Sequence, residues 1–182
     1  MVLQATADFP RAAVCSPAAF PDHFEGAAAV LTQDRREEQL LLTLAERFGP
    51  RLLAAEVWSQ LLPRAGVLIS SALSGGTFAQ RVAEAAECYP RRCWLLLEPM
   101  AMEFSLPCPT GTGTPVPRPT EGNSFFSEAL CCQYAHFVRN QQGFMLLWDT
   151  EHSLRQKMTL AKQAGFLGYA VPPQALDSLA DL

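Results

Sequence analysis

Short apolar runs alternate along the chain with stretches in which apolar residues recur every three or four positions. This alternation predicts a series of strand and helix units. Buried strands are expected at residues 27–32, 52–57, 66–71 and 93–97, with an earlier one at 2–7 and a last short one at 168–171. The run at 93–97 lies between Arg91-Arg92 and Glu98-Pro99, as suits a strand covered on both faces. Between the strands, residues 36–48 place Leu40, Leu41, Leu44 and Phe48 on one helical face, and Gly49-Pro50 stops that helix. Thr77-Phe78-Ala79-Gln80 reads as a capping box opening a helix with Phe78, Val82 and Ala85 inward. Ser153-Leu154-Arg155-Gln156 reads as a second, with a helix running to about Ala164.

Two segments break the rhythm. Residues 99–119 hold six of the fourteen prolines together with Gly111 and Gly113, so an irregular insertion loop is expected there. Residues 134–138 and 144–148 read as a β-hairpin around the five-residue turn Arg139-Asn140-Gln141-Gln142-Gly143. The stretch after residue 7, with Pro10, Pro17 and Pro21, is expected to be irregular.

Composition narrows the partners. At 182 residues the chain suits one domain over 1–182, and its formal charge of −4, without a basic run, offers little to nucleic acid or anionic lipid. No apolar stretch approaches a membrane span, and Met1-Val2-Leu3-Gln4 lacks the positive flank of a secretory leader. The expectation is a soluble protein, cytoplasmic by default. The six cysteines have no paired C-x-x-C spacing and read as reduced thiols, while the three histidines share no helix-face spacing. No metal and no cofactor is expected.

The candidate chemistry lies in acids at strand ends: Asp8, Asp34, Glu56, Glu98 and, after the hairpin, Asp149. In parallel α/β folds such positions share the rim where ligands bind, and two facing carboxylates can serve a glycosidic bond as acid and base. Asp34 also stands where the helix beginning near Arg35 needs a cap. Trp58, Trp94 and Trp148 read as core packing rather than as sugar platforms. Ser74-Gly75-Gly76 reads as a turn, and Ser70-Ser71 lacks the Gly-x-Ser-x-Gly context of a nucleophile.

The segment 148–154, Trp-Asp-Thr-Glu-His-Ser-Leu, followed by Lys157, Ala161, Gly165 and Gly168, resembles the end of family 18 glycoside hydrolases, and most of all their bacterial, spore- and peptidoglycan-associated branch. Trp94-Leu95-Leu96-Leu97 is similar to the seventh strand of that family, and Phe24-Glu25-Gly26 to the lead-in of its fourth, catalytic strand. The resemblance implies a (β/α) barrel acting on β-linked amino sugars, with a D-x-x-D-x-D-x-E motif whose glutamate is the acid. Aligned on Phe24-Glu25-Gly26, that glutamate becomes Thr32 and two aspartates become Ala28 and Val30. Ile69-Ser70-Ser71-Ala72 and Pro172 likewise replace family site residues.

The fold expected is therefore α/β: an incomplete or truncated TIM-like barrel of six to seven mainly parallel strands with an inserted β-hairpin. A carbohydrate ligand is expected on Thr32, Glu56, Ser70, Glu98 and Asp149, with family chemistry lost. The runner-up is a hydrolase of chitin-like or peptidoglycan polymers using Asp34, Glu56 or Glu98 as displaced acids. Because a full barrel takes about 250 residues, an open barrel edge covered by a second copy of the chain is also expected, and a third reading is a purely structural or protein-interaction module that oligomerises through that edge.

Overall fold

The computed structural model describes residues 10–17, 26–119 and 123–172. Six parallel strands make a barrel: β1 (Arg11–Cys15), β2 (Ala28–Val30), β3 (Leu52–Ala55), β4 (Gly66–Ser70), β5 (Cys93–Leu96) and, after the intervening sheet, β11 (Tyr169–Ala170). Their order is β1-β11-β5-β4-β3-β2, and β1 closes the ring by pairing with both β11 and β2. The barrel is thus TIM-like and short of eight strands.

Closure corrects the expected open edge. Each barrel strand has a neighbour on both sides, so the six strands leave no unpaired edge for a second copy to cover. The first strand expected at 2–7, and the acid Asp8 after it, lie outside the described residues. β1 instead occupies part of the proline-bearing stretch expected to be irregular, with Pro10 immediately before it, where a missing N–H costs no ladder bond.

Strict alternation sorts side chains into two layers. Ala12, Ala29, Leu53, Leu68, Trp94, Leu96 and Ala170, drawn from all six strands, pack together inside the ring. Small residues on β1, β2 and β11 face large ones on β3, β4 and β5, and the Trp94 indole packs among them against Gly66 and Gly168. That packing requires the two glycines. A Cβ on Gly168 would lie 2.2 Å from the Pro10 carbonyl oxygen and 2.4 Å from Trp94 Cζ3, and one on Gly66 would lie 2.4 Å from Leu53 Cδ2.

The outward residues pack under three helices. Val30, Leu52 and Ala54 meet Leu41, Leu44 and Phe48 of α1 (Glu38–Phe48). Val67, Ile69, Cys93, Leu95 and Tyr169 meet Phe78, Val82 and Ala85 of α2 (Phe78–Cys88) and Leu154 and Ala161 of α3 (Glu151–Gln163). Thr77 caps α2 as its sequence predicts, accepting from the Gln80 N–H. At α3 the cap is Thr150, not Ser153: Ser153 is the third helical residue and completes the capping box by accepting from the Thr150 N–H. No helix among the described residues is long and apolar enough to cross a membrane.

Between β5 and α3 the chain builds a five-stranded antiparallel sheet, ordered β7 (Thr114–Pro115), β6 (Ala101–Leu106), β10 (Gln142–Trp148), β9 (Cys132–Arg139), β8 (Phe125–Ser127). The expected hairpin is present as β9 and β10, but its turn is shorter than five residues. Arg139 pairs with Gln142, leaving Asn140 and Gln141, both at positive φ (52° and 63°). The insertion expected to be irregular carries β6, which pairs with β10 from Ala101–Trp148 to Leu106–Gly143. The prolines flank that strand rather than interrupt it.

Candidate functional site

The loops leaving the C-terminal ends of β2, β3, β4 and β5 enclose a cavity of about 260 Å³ at the barrel mouth. Its walls include Gln33, Glu56, Ser70 and Glu98 over a floor of Leu31, Leu68 and Leu96. Most of these residues follow the inward parity of their strands: Leu68 and Ser70 on β4 and Leu96 and Glu98 beyond β5 continue the row that starts at Gly66 and Trp94. Glu56 does not, since Leu52 and Ala54 of the same parity pack against α1; it reaches the cavity from the 3₁₀ turn Glu56–Trp58 that follows β3. Counting by twos therefore brings Ser70 and Glu98 together, and the turn after β3 adds Glu56.

Their hydrogen bonds differentiate them. The Ser70 hydroxyl donates to Glu98 Oε2 at 2.6 Å and accepts from the Ala72 N–H at 3.1 Å. The Glu98 backbone is tied to the neighbouring loop, its N–H donating to Ser71 Oγ at 3.0 Å. Glu56 is paired through Oε2 with the Arg81 guanidinium of α2. The remaining oxygens, Oε1 of Glu56 and Oε1 of Glu98, accept no hydrogen bond among the described residues.

Three candidates lie elsewhere. Thr32 falls between the inward residues Leu31 and Gln33 and does not line the cavity. Its hydroxyl accepts from the Asp34 N–H at 3.1 Å, and its carbonyl accepts from the Trp58 indole N–H at 2.8 Å. Asp34 caps the short 3₁₀ turn Arg35–Glu37, taking the Arg36 N–H at 3.0 Å and an ion pair at 2.7 Å from its guanidinium. The Arg36 side chain, with the Arg36 N–H adding to it, holds the Asp34 carboxyl below the usual carboxylate range, opposite to what a general acid requires.

Asp149 is fully buried and spoken for. It accepts from Lys157 Nζ at 2.7 Å, Ser153 Oγ at 2.8 Å and the Met100 N–H at 3.0 Å. The acid, serine and lysine on which the family resemblance rests thus form one buried knot joining the end of β10, the β5–β6 connection and α3. Ala161, one further turn along α3, is buried beyond them.

The same parity bears on the expected alignment of residues 28, 30 and 32 with the motif of the resembled family. Ala28 and Val30, matched to motif aspartates, face outward, and Thr32 follows them; the inward positions are Ala29, Leu31 and Gln33. Gln33 was missed by the sequence analysis, although counting by twos from Ala29 reaches it. Arg81 was missed too, and nothing in its sequence context marks it.

The mouth cavity shares walls with two others. Glu98 also lines a groove of about 700 Å³ between the loop after β4 and the antiparallel sheet, walled by Met100, Met102, Phe104, Pro115 and Val116. Gln33 and Val57 also line a cavity of about 380 Å³ beside Trp58. A row of three depressions thus crosses the C-terminal rim. No group of three or more potential metal ligands occurs among the described residues.

Comparison with solved structures finds proteins of similar fold. The spore cortex-lytic enzyme SleL of Bacillus megaterium QM B1551 superimposes with a TM-score of 0.52 at 9% identity, over 80% of this chain and 44% of that one. SleL of Bacillus cereus gives 0.51 at 11% identity, over 80% and 44%. A family 18 chitinase of Cycas revoluta, solved with (GlcNAc)3, gives 0.46 at 13% identity, over 80% and 62%. No family model and no curated sequence matches the chain.

The likeness to the two SleL proteins shows the fold alone, and this chain spans less than half the length of either. What the mouth can do chemically follows from its own residues. It offers one carboxylate already neutralised by Arg81, one holding a serine hydroxyl, a glutamine amide able to donate and accept, and an apolar floor.

Proposed function

We propose that the chain is a glycoside hydrolase family 18-like barrel domain that binds carbohydrate at its mouth and has lost the family's hydrolytic chemistry. One observation carries the reading: on β2, where the family places its acid, the inward positions hold Ala29, Leu31 and Gln33 and no carboxylate. A glutamine amide hydrogen-bonds a sugar hydroxyl but does not protonate a leaving oxygen, and general acid catalysis alone is typically worth about 10² to 10⁴-fold. The row of depressions along the rim suits an oligomer better than a single ring.

Glu98 supports a second reading, in which it serves as a displaced acid, since it lines both the mouth and the large groove. One experiment separates the two. Purified chain is mixed with chitin oligomers and peptidoglycan fragments, products are followed by mass spectrometry, and binding by calorimetric titration. Binding without cleavage is expected. Cleavage by the unaltered chain that Glu98→Gln abolishes in a folded protein overturns the non-catalytic reading and makes Glu98 the acid.

A further inference from the structure

The hydrogen-bonding capacity left open at the mouth is almost all of one kind. Ser70 has spent its only proton on Glu98, and Glu56 and Glu98 each keep one oxygen without a donor among the described residues. Carboxylates accept and do not donate. Arg81 balances the charge of Glu56 but not that of Glu98, and no basic side chain among the described residues lines the cavity. Of the described wall residues, Gln33 alone has a side-chain donor still to give. The cavity therefore presents a net negative, acceptor-rich wall above an apolar floor.

A ligand satisfying that wall brings protons and positive charge. An acetamido group brings one N–H and a carbonyl oxygen that would face the carboxylates. An ammonium brings three donors and no acceptor. We infer that the mouth selects an amino sugar whose nitrogen is free and protonated over its N-acetylated counterpart, the ammonium seated between Glu56 and Glu98. This inference rests on the carbohydrate-binding reading and names the sugar class within it. Glu98 is the discriminating residue, and Ser70, by fixing Oε2, turns Oε1 toward the ligand.

The test titrates the 182-residue chain with the fully deacetylated glucosamine tetramer and with the fully N-acetylated tetramer, at one pH and at low ionic strength. The free amine is expected to bind about tenfold more tightly or better, as suits one charge-assisted hydrogen bond at a partly enclosed site. Glu98→Gln, isosteric and still able to accept from Ser70, brings the two affinities together, and Glu56→Gln narrows the gap less because Arg81 already offsets that charge. Circular dichroism verifies that both variants are folded. Equal affinities, or tighter binding of the acetylated tetramer, overturn the inference and leave carbohydrate binding standing. A preference that survives both substitutions overturns the assignment to these carboxylates. Failure of the unaltered chain to bind either tetramer overturns the carbohydrate reading itself.

Discussion

Removing the Lys157 ammonium would leave the Asp149 carboxylate buried without a counter-charge, a state that costs far more than the intact pair contributes. Lys157→Met is therefore expected to destabilise the fold by about 3–5 kcal/mol, read from the shift in a urea unfolding curve. Adding Asp149→Asn, which removes the stranded charge, should recover part of that loss; a double variant less stable than the single one would contradict this account. The thiols supply a pH effect. Burial, with the charge of Glu56 adding to it, pushes Cys93 up to about 11, and burial does the same to Cys132. An unfolded thiol ionises near 9.0, so above that value the unfolded chain holds fewer protons than the folded one, and stability falls as pH rises from about 9 to about 11. Unfolding curves at pH 8 and pH 10.5 should show that decline, and Cys93→Ala should make it shallower. At this scale the sequence was legible where parity could be counted. Ser70 and Glu98 each end an inward run and meet at the mouth, whereas Glu56 has the outward parity of β3 and joins them only through the 3₁₀ turn that follows that strand. Asp149 also ends an apolar run, but that run is β10 of the antiparallel sheet, so its end leads into the core rather than to the rim.

Elements were legible wherever side-chain pattern and backbone pairing share a boundary, as they do at the capped start of α2 and at Gly49-Pro50 after α1. The β9–β10 turn shows the opposite case. Arg139 and Gln142 are polar, so the pattern ends the strands there, yet their backbones still pair and the true turn is only Asn140-Gln141. Both residues adopt the left-handed conformation that two-residue hairpins require, and glutamine suits it poorly. Gln141→Gly should therefore stabilise the protein by up to about 1 kcal/mol, visible as a higher melting temperature; a lower one would mean that the side chain does more than mark a turn. Strand β6 escaped notice for a related reason. Proline density was high across residues 99–119 as a whole, but Ala101–Leu106 contains none, and its hydrogen bonds to β10 depend on a partner some forty residues away that no local pattern displays.

For the whole molecule, alternation of strands and helices made the parallel barrel legible, whereas the number of strands that suffices to close it was not. Closure at six depends on how little room the interior needs: alanines on one side, one indole across the middle, and two glycines that let the backbones approach it. Gly168→Ala tests this directly. Its methyl group would meet the Pro10 carbonyl and the Trp94 ring, and neither backbone nor lumen can yield, so a loss of about 1–3 kcal/mol or more is expected, read by thermal unfolding. A variant as stable as the parent would show that the ring expands. The pairing of β1 with β11 also governs the time course of folding. These neighbours are separated by nearly the whole described chain, so the contact that seals the ring carries the largest loop-entropy cost and is expected to form late. Until it does, β1 and β5 expose bare hydrogen-bonding edges of the kind that recruit other chains. The finished barrel has no such edge, and the edges that persist are the short outer strands β7 and β8 of the antiparallel sheet.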